Sequence, residues 1–319
     1  MEEFRSYLPD AVIDKNLAAS FHRLTEIAEQ EHAHIAELAE EILADCTPTS
    51  DFIASLPDRR LPLPTLSGDI PPENAEVMRQ LPRQHAVWRS VLLARLIRKG
   101  LGLRATEIPE FYFPDFEEIP QAAASRVIYQ RTAFADHAYH RFSKALDQPK
   151  ALYTHHFSMA CEEVARGSCE YCILPLENSA EGPLQSFARL IDRFSLKIVA
   201  VCDISTDDAS RTTRFALLRK NLLPLRGEIG NDTVFECTVP VTEGATVSDL
   251  LLAASFCNLS LLRIETKSQT KENLATHFAF SVGHGDLSTY LLYLSIEAPD
   301  YEALGIYSPL STPTILKRI

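Results

Sequence analysis

Apolar positions in the first part of the chain recur every three, four or seven residues, which is the period of an amphipathic helix. One such stripe consists of Leu17, Phe21, Leu24, Ala28, Ile35, Leu38 and Ile42. A second runs through residues 87–97 and is stopped by Gly100. Between the two stripes, residues 47–74 are rich in proline, serine and aspartate and are predicted to form a loop. The pattern predicts a mainly helical region over residues 1–120.

The period changes from residue 126 onward, where short apolar runs alternate with helical patterns. Strands are predicted at 127–129, 152–153, 171–176, 196–201 and 215–218, and helices at 133–146, 158–166 and 184–194. Such alternation predicts a mostly parallel sheet that is covered by helices. We therefore expect an α/β lobe over residues 126–222.

The segment 231–310 has a third rhythm, in which the order of predicted elements is strand, helix, strand, strand, helix, strand. The predicted strands are 233–241, 259–266, 276–282 and 303–307, and the predicted helices are 247–256 and 287–296. This βαββαβ order is ferredoxin-like. The predicted fold class therefore combines α/β and α+β parts, with a helical region in front of them.

Composition narrows the range of partners. The chain has 319 residues, 46% apolar and 23% charged, with a formal charge of −12. A chain this acidic is a poor candidate for nucleic-acid binding, because phosphate contacts need clustered lysine and arginine. No apolar run is long enough for a transmembrane helix, and Met1-Glu2-Glu3 lacks the features of a signal peptide. Together with seven scattered cysteines, these features predict a cytoplasmic protein without disulfides.

The residues that best indicate chemistry are Glu177-Asn178-Ser179 and Thr213-Arg214. The first group follows an apolar run that is predicted to be a buried strand, and open α/β sheets bind their ligands at the carboxyl ends of such strands. Taken alone, the asparagine and serine are equally well explained as caps of the next helix. Taken together, the two groups indicate one site. We find no pattern typical of a metal site.

These two groups resemble motifs of the prephenate dehydratase family, and the helix predicted at 158–166 resembles the helix that precedes the first of them. The resemblance implies one lobe of periplasmic-binding-protein-like type and conversion of prephenate to phenylpyruvate with loss of CO2 and water. It implies no cofactor and no metal. Thr213 would donate to the leaving hydroxyl, Arg214 would pair with a carboxylate, and Asn178 would hold the ring substituents, with Glu177 and Ser179 beside them.

The resemblance is partial in two places. The family's first loop contains two glycines and a serine, whereas residues 129–135 contain none of them. The family also has a second lobe before its Thr-Arg-Phe strand, and here only a short segment separates Ile204 from Arg214. One lobe alone does not enclose a substrate. The missing wall would have to come from the helical region 1–120 or from another subunit.

The segment 231–310 resembles the ACT regulatory domain that is attached to these enzymes. The similarity lies in a Gly-Ala turn, in an Asn-Leu strand that ends in glutamate, and in the closing strand 304–307. It implies phenylalanine binding and a homo-oligomer that pairs through this domain. The implied ligand-binding residues are Gly244, Ala245, Asn258, Leu259 and Glu265. An alternative is that the domain is kept only for packing between subunits.

Two main functional hypotheses remain open from the sequence. The first is a divergent prephenate dehydratase in which Thr213 and Asn178 are essential. The second is a non-catalytic sensor or regulatory protein that binds an aromatic amino acid. A third hypothesis, in which the helical region binds a partner enzyme as a scaffold, has less support from the sequence.

Overall fold

The computed structural model describes residues 15–44, 47–61, 75–109, 125–206, 210–222, 230–240, 245–268, 274–310 and 314–316. The described helices are α1 (Lys15–Ala44), α2 (Ser50–Ser55), α3 (Ala75–Gly100), α4 (Ala133–Phe142), α5 (Phe157–Ala165), α6 (Gln185–Arg193), α7 (Val247–Phe256) and α8 (Leu287–Glu297). The described strands are β1 (Arg126–Gln130), β2 (Lys150–Thr154), β3 (Tyr171–Asn178), β4 (Gly182–Pro183), β5 (Lys197–Thr206), β6 (Thr212–Arg219), β7 (Val234–Pro240), β8 (Ser260–Ser268), β9 (Leu274–Ser281), β10 (Glu302–Tyr307) and β11 (Thr314–Leu316). No helix among these residues has the length and apolar character needed to cross a membrane.

The strands form one mixed sheet in the order β2-β1-β3-β6-β5-β10-β7-β9-β8, with β11 beside β5 and β4 beside β3. The prediction of a mostly parallel sheet was wrong for this lobe. Strands β2, β1 and β3 are parallel, but β6 is antiparallel to both β3 and β5. Only residues 207–211 lie between β5 and β6. A connection between parallel strands needs a dozen or more residues. A link as short as this one therefore makes β6 antiparallel to β5.

The C-terminal strands follow the predicted βαββαβ order, and their spatial order is β10-β7-β9-β8. Because side chains alternate along a strand, this part of the sheet has two different faces. On the covered face, Phe235, Cys237, Phe278 and Phe280 are fully buried in a core that also contains α7 and α8. The opposite face, which we call the open face, carries polar residues.

The N-terminal helix α3 packs on α7 and α8, α1 packs on α3, and all four share one hydrophobic core. Polar contacts fix this layer: Arg83 Nε is 2.9 Å from Asp249 Oδ2, and Ser90 Oγ donates to Glu297 Oε1 at 2.7 Å. The predicted loop 47–74 is not wholly irregular, because α2 and a 3-10 turn (Leu56–Arg59) form within it and bury Phe52 and Leu56. The helical region therefore lies on the side of the C-terminal sheet away from its open face.

The lobe and the C-terminal strands join where β5 and β10 run parallel, with Gly305 opposite Ile198. A Cβ atom on Gly305 would lie 2.8 Å from the Ile198 Cβ and 2.9 Å from the Ile198 carbonyl oxygen. Such a close approach of two strands requires glycine. Lys197 Nζ and Glu302 Oε1, 2.8 Å apart, close the same seam. Consequently, the open face of the C-terminal strands meets helix α6 of the lobe.

Candidate functional site

The two sequence motifs of the lobe lie side by side on neighbouring strands. In the antiparallel pair β3–β6, Glu177 is opposite Arg214 and Asn178 is opposite Thr213. The expectation that the two motifs come together is therefore met at the level of the backbone. Their side chains, however, do not all project to the same side of the sheet.

Thr213 and Arg214 are adjacent in β6, so their side chains point to opposite faces. Ala216, which has the same parity as Arg214, packs in the core under α5 and α6. Phe215 and Leu217, which have the same parity as Thr213, pack in the core under α4. The predicted donor and the predicted carboxylate-binding arginine are thus separated by the sheet.

Asn178 and Ser179 hold the turn between β3 and β4. The Asn178 Oδ1 atom accepts hydrogen bonds from the backbone N–H groups of Ala180 and Glu181, at 3.0 and 2.6 Å. The Ser179 hydroxyl accepts from the backbone N–H of Thr212 at 3.0 Å. Neither side chain caps helix α6, which begins after Leu184 without a side-chain cap. The two side chains therefore bind backbone N–H groups at this turn, and not at the start of α6 as considered from the sequence.

Arg214 already has a carboxylate partner inside the protein. Its Nε and Nη2 atoms donate to the two oxygens of Asp203 at 2.9 and 3.2 Å, which is the two-pronged geometry that arginine prefers with carboxylates. This hydrogen bonding to Asp203 raises the pKa of the Arg214 guanidinium. Both side chains are about half exposed, so the pair is a modest contributor to stability.

A cavity of about 550 Å³ lies between the lobe and the open face of the C-terminal strands. Glu177 and Arg214 line it from the lobe, together with apolar residues of β3 and α6 that include Leu176, Ala188 and Ile191. The C-terminal strands, which continue the same sheet, supply a second wall. The polar or charged residues of that wall are Glu236, Arg263, Glu265, His277 and Tyr307. The cavity is thus lined by both the lobe and the C-terminal strands, and among the described side chains none from α1–α3 lines it.

Four of these residues form what we call the polar cluster: Glu236, Arg263, His277 and Tyr307, one from each C-terminal strand. Glu236 is its centre and is 5% exposed. It accepts hydrogen bonds from the Tyr307 hydroxyl at 2.5 Å and from Arg263 Nη2 at 3.4 Å, and His277 Nε2 lies 3.1 Å from its other oxygen. So strongly buried a carboxylate needs such partners.

The partners determine how the cluster titrates. Burial by itself raises the pKa of Glu236, but hydrogen bonds from His277 and Tyr307 and the charge of Arg263 outweigh it, so the pKa lies below its usual value. Burial and the neighbouring Glu236 charge raise the pKa of Tyr307. Glu236 is therefore an anion at neutral pH, and Tyr307 is a neutral hydrogen-bond donor.

The ligand-binding residues predicted in the C-terminal part lie in different places. Glu265 lines the cavity, with its Oε1 atom 3.7 Å from Arg263 Nε. Ala245 and Leu259 are buried in the core with α7 and α8, and Asn258 follows α7 in a left-handed conformation with φ of 56°. Gly244 lies outside the described residues. Of the members of this set that the structure describes, only Glu265 lines the same cavity as the lobe residues Glu177 and Arg214.

The polar cluster was not identified from the sequence, although a signal for it exists. In β7, Glu236 and Thr238 alternate with Phe235, Cys237 and Val239, so polar residues occupy every second position of an otherwise apolar strand. Such alternation is typical of a strand with one face turned away from the core. In the part of the chain that the structure describes, no group of three or more histidine, cysteine or acidic residues is arranged to hold a metal ion.

No family model matches this sequence, and no curated protein matches it. Among solved structures, GqqA, a quorum-quenching acylase, is 21% identical with a TM-score of 0.45, covering 57% of this chain and 94% of its own. Prephenate dehydratase from Streptococcus mutans is 17% identical with a TM-score of 0.46, covering 58% and 99%. A prephenate dehydratase from Arthrobacter aurescens in complex with L-Phe is 15% identical with a TM-score of 0.44, covering 60% and 93%. Prephenate dehydratases are thus among the solved structures that are similar to this chain, at TM-scores below the level that establishes a shared fold.

Proposed function

We propose that the protein is a non-catalytic sensor that binds an aromatic amino acid in the cavity between the lobe and the open face. The observation that carries this proposal is the lining of the cavity, which combines two arginines, several carboxylates and an apolar wall. An aromatic amino acid carries a carboxylate, an ammonium group and an apolar ring. Each part of such a ligand finds a complementary group here, and about 550 Å³ lies within the usual range for small-molecule sites.

The arrangement of the lobe motifs supports binding without turnover. Dehydration with decarboxylation needs a donor at the leaving hydroxyl and a cation at the carboxylates, both facing the same bound substrate molecule. Thr213 and Arg214 project to opposite faces of β6. Asn178 is occupied by the turn after β3, and Arg214 is occupied by Asp203. Groups that are separated in this way do not act on the same substrate molecule.

A divergent prephenate dehydratase is the second candidate, and one observation favours it. Glu177 and Asn178 lie directly opposite Arg214 and Thr213 across two paired strands, as one site would require. Under either function, the resemblance of residues 231–310 to an ACT domain leads us to propose a homo-oligomer. Light scattering coupled to size-exclusion chromatography measures that state.

Calorimetric titration together with a turnover assay separates the two functions. We expect L-phenylalanine, L-tyrosine or L-tryptophan to bind the purified full chain, and prephenate to give no phenylpyruvate above the uncatalysed rate. Thr213→Ala should leave binding unchanged, as should Ser186→Ala on the exposed side of α6. If the wild type forms phenylpyruvate, and this activity is abolished by Thr213→Ala but preserved by Ser186→Ala, the protein is a prephenate dehydratase instead. Absence of binding by all three amino acids at millimolar concentration would contradict the sensor.

A further inference from the structure

The two arginines of the cavity differ in how fully their hydrogen-bond donors are used. Arg214 directs two donors at Asp203 at 2.9 and 3.2 Å, so its guanidinium is matched by a carboxylate of the protein itself. An arginine in such a fork has little to gain from a second carboxylate. Although Arg214 is positively charged, its donors are already used, so we do not expect it to bind the anionic group of a ligand.

The polar contacts of Arg263 with the residues that the structure describes are long. Its Nη2 atom is 3.4 Å from Glu236 Oε1, and its Nε atom is 3.7 Å from Glu265 Oε1. The second distance is too long for a hydrogen bond. Arg263 Nε is buried and has no hydrogen-bond partner among the residues that the structure describes. A buried donor without a partner costs free energy that a ligand acceptor would recover.

The nearest carboxylate, Glu236, pairs with Arg263 only at long range, because its oxygens have closer partners. Glu236 Oε1 receives the Tyr307 hydroxyl at 2.5 Å, and Glu236 Oε2 faces His277 Nε2 at 3.1 Å. Both oxygens thus have nearer partners than the 3.4 Å contact to Arg263. The polar cluster holds Arg263 in place at the cavity wall and leaves part of its guanidinium available.

We propose that Arg263 is the residue that binds the carboxylate of the cavity's ligand, and that the ligand is an α-amino acid and not a dicarboxylate. This inference rests on the proposed function. Glu265 lies 3.7 Å from Arg263 Nε, so an ammonium group on the carbon next to the bound carboxylate comes within reach of it. The acidic residues that line the cavity, Glu177, Asp192, Glu236 and Glu265, outnumber its two arginines. This excess of negative charge disfavours a dianion relative to a zwitterion.

A cycle of protein variants and ligand variants tests the contact. The probes are L-phenylalanine and L-phenylalaninamide, which lacks the carboxylate, each titrated calorimetrically into the full chain. For Arg263→Gln we expect a Kd for L-phenylalanine about 10- to 100-fold higher, as for loss of a hydrogen bond to a charged group. The amide keeps only a neutral carbonyl oxygen as acceptor, so Arg263→Gln should weaken its binding less than it weakens that of L-phenylalanine. Arg263→Lys, which keeps the charge without the fork, should fall in between.

Two further variants serve as comparisons. Arg189→Gln removes the same charge from an exposed position of α6 that does not line the cavity, and it should bind like the wild type. Arg214→Gln should weaken L-phenylalanine binding less than Arg263→Gln does. Thermal unfolding of each variant separates loss of binding from loss of fold, and Arg263→Lys provides the test if Arg263→Gln does not fold.

The outcomes are distinguishable. Suppose that the wild-type protein binds L-phenylalanine. If Arg263→Gln then binds it equally tightly, or if Arg214→Gln binds it more weakly than Arg263→Gln does, the assignment of Arg263 is overturned and the proposed sensor function stands. Prephenate binding more tightly than L-phenylalanine would overturn the preference for a zwitterion. Absence of binding by any aromatic amino acid would overturn the sensor, and the assignment of Arg263 with it.

Discussion

The two faces of the C-terminal strands are made by alternate residues of the same segments, yet they do different things. The covered face carries Phe235, Phe278 and Phe280 and is sealed by α7 and α8, with α1 and α3 outside them. The open face carries Glu236, His277 and Arg263, which a folding core does not require. Burying these groups costs free energy unless every one finds a partner. Such residues on one side of a well-packed sheet are a reason to look there for a ligand.

The contrast predicts that the largest effect on stability comes from the covered face. Phe280→Ala removes a fully buried ring. Its centroid lies 5.4 Å from that of Tyr290, in an edge-on contact, and 5.7 Å from that of Phe278, in a stacked one. We expect a loss of about 3–5 kcal/mol in the free energy of unfolding, from lost burial and from the cavity that is left. Urea unfolding followed by circular dichroism measures it. A loss below about 1 kcal/mol would mean that this face is not the core.

A smaller effect is expected at the seam that holds the open face against the lobe. Gly305→Ala places a Cβ atom 2.8 Å from that of Ile198 and forces β5 and β10 apart. Overpacking of this kind costs about 1–3 kcal/mol. Since the seam positions both walls of the cavity, ligand binding should weaken as well. Gly230→Ala, where an added Cβ meets nothing within 4 Å, is the matched control.

The open face should contribute stability that depends on pH. The pKa of Glu236 is lowered in the folded protein from an ordinary value of 4.5, so its contribution is present above that pH and is lost as the pH falls through the folded pKa. Glu236→Gln should cost about 1–2 kcal/mol at pH 7, and its difference from the wild type should shrink below about pH 4.5. Urea unfolding at a series of pH values tests this. A difference that stays constant from pH 7 to pH 3 would contradict the assigned charge.

Local signals predicted the elements well and their arrangement less well. Helix α7 runs over Val247–Phe256 as predicted, because Thr246 and Asp249 form a capping box that is encoded within four residues. The direction of β6 depends on the length of its connection to β5. The short helix α2 lies within a segment whose proline and serine content indicates a loop. These differences arise from connections and packing that the period of apolar residues does not encode.

The same distinction applies to the candidate site. The sequence indicated that the motifs of Glu177 and Arg214 belong together, but it did not predict that these two residues pair across β3 and β6. The contact between Glu236 and His277 joins residues 41 positions apart on strands β7 and β9, which become neighbours only when the sheet forms. The separation of Thr213 from Arg214 follows from strand alternation and was available from the sequence. The cavity itself, which needs both the lobe and the open face, was not.

The most direct test of this account is a crystal structure of the full chain grown with L-phenylalanine. The account predicts the ligand in the cavity between α6 and the open face, with its carboxylate within hydrogen-bond distance of the Arg263 guanidinium and its ring against Leu176, Ala188 and Ile191. A ligand bound instead beside Ala245 and Asn258, or a cavity that stays empty at saturating L-phenylalanine, would contradict it.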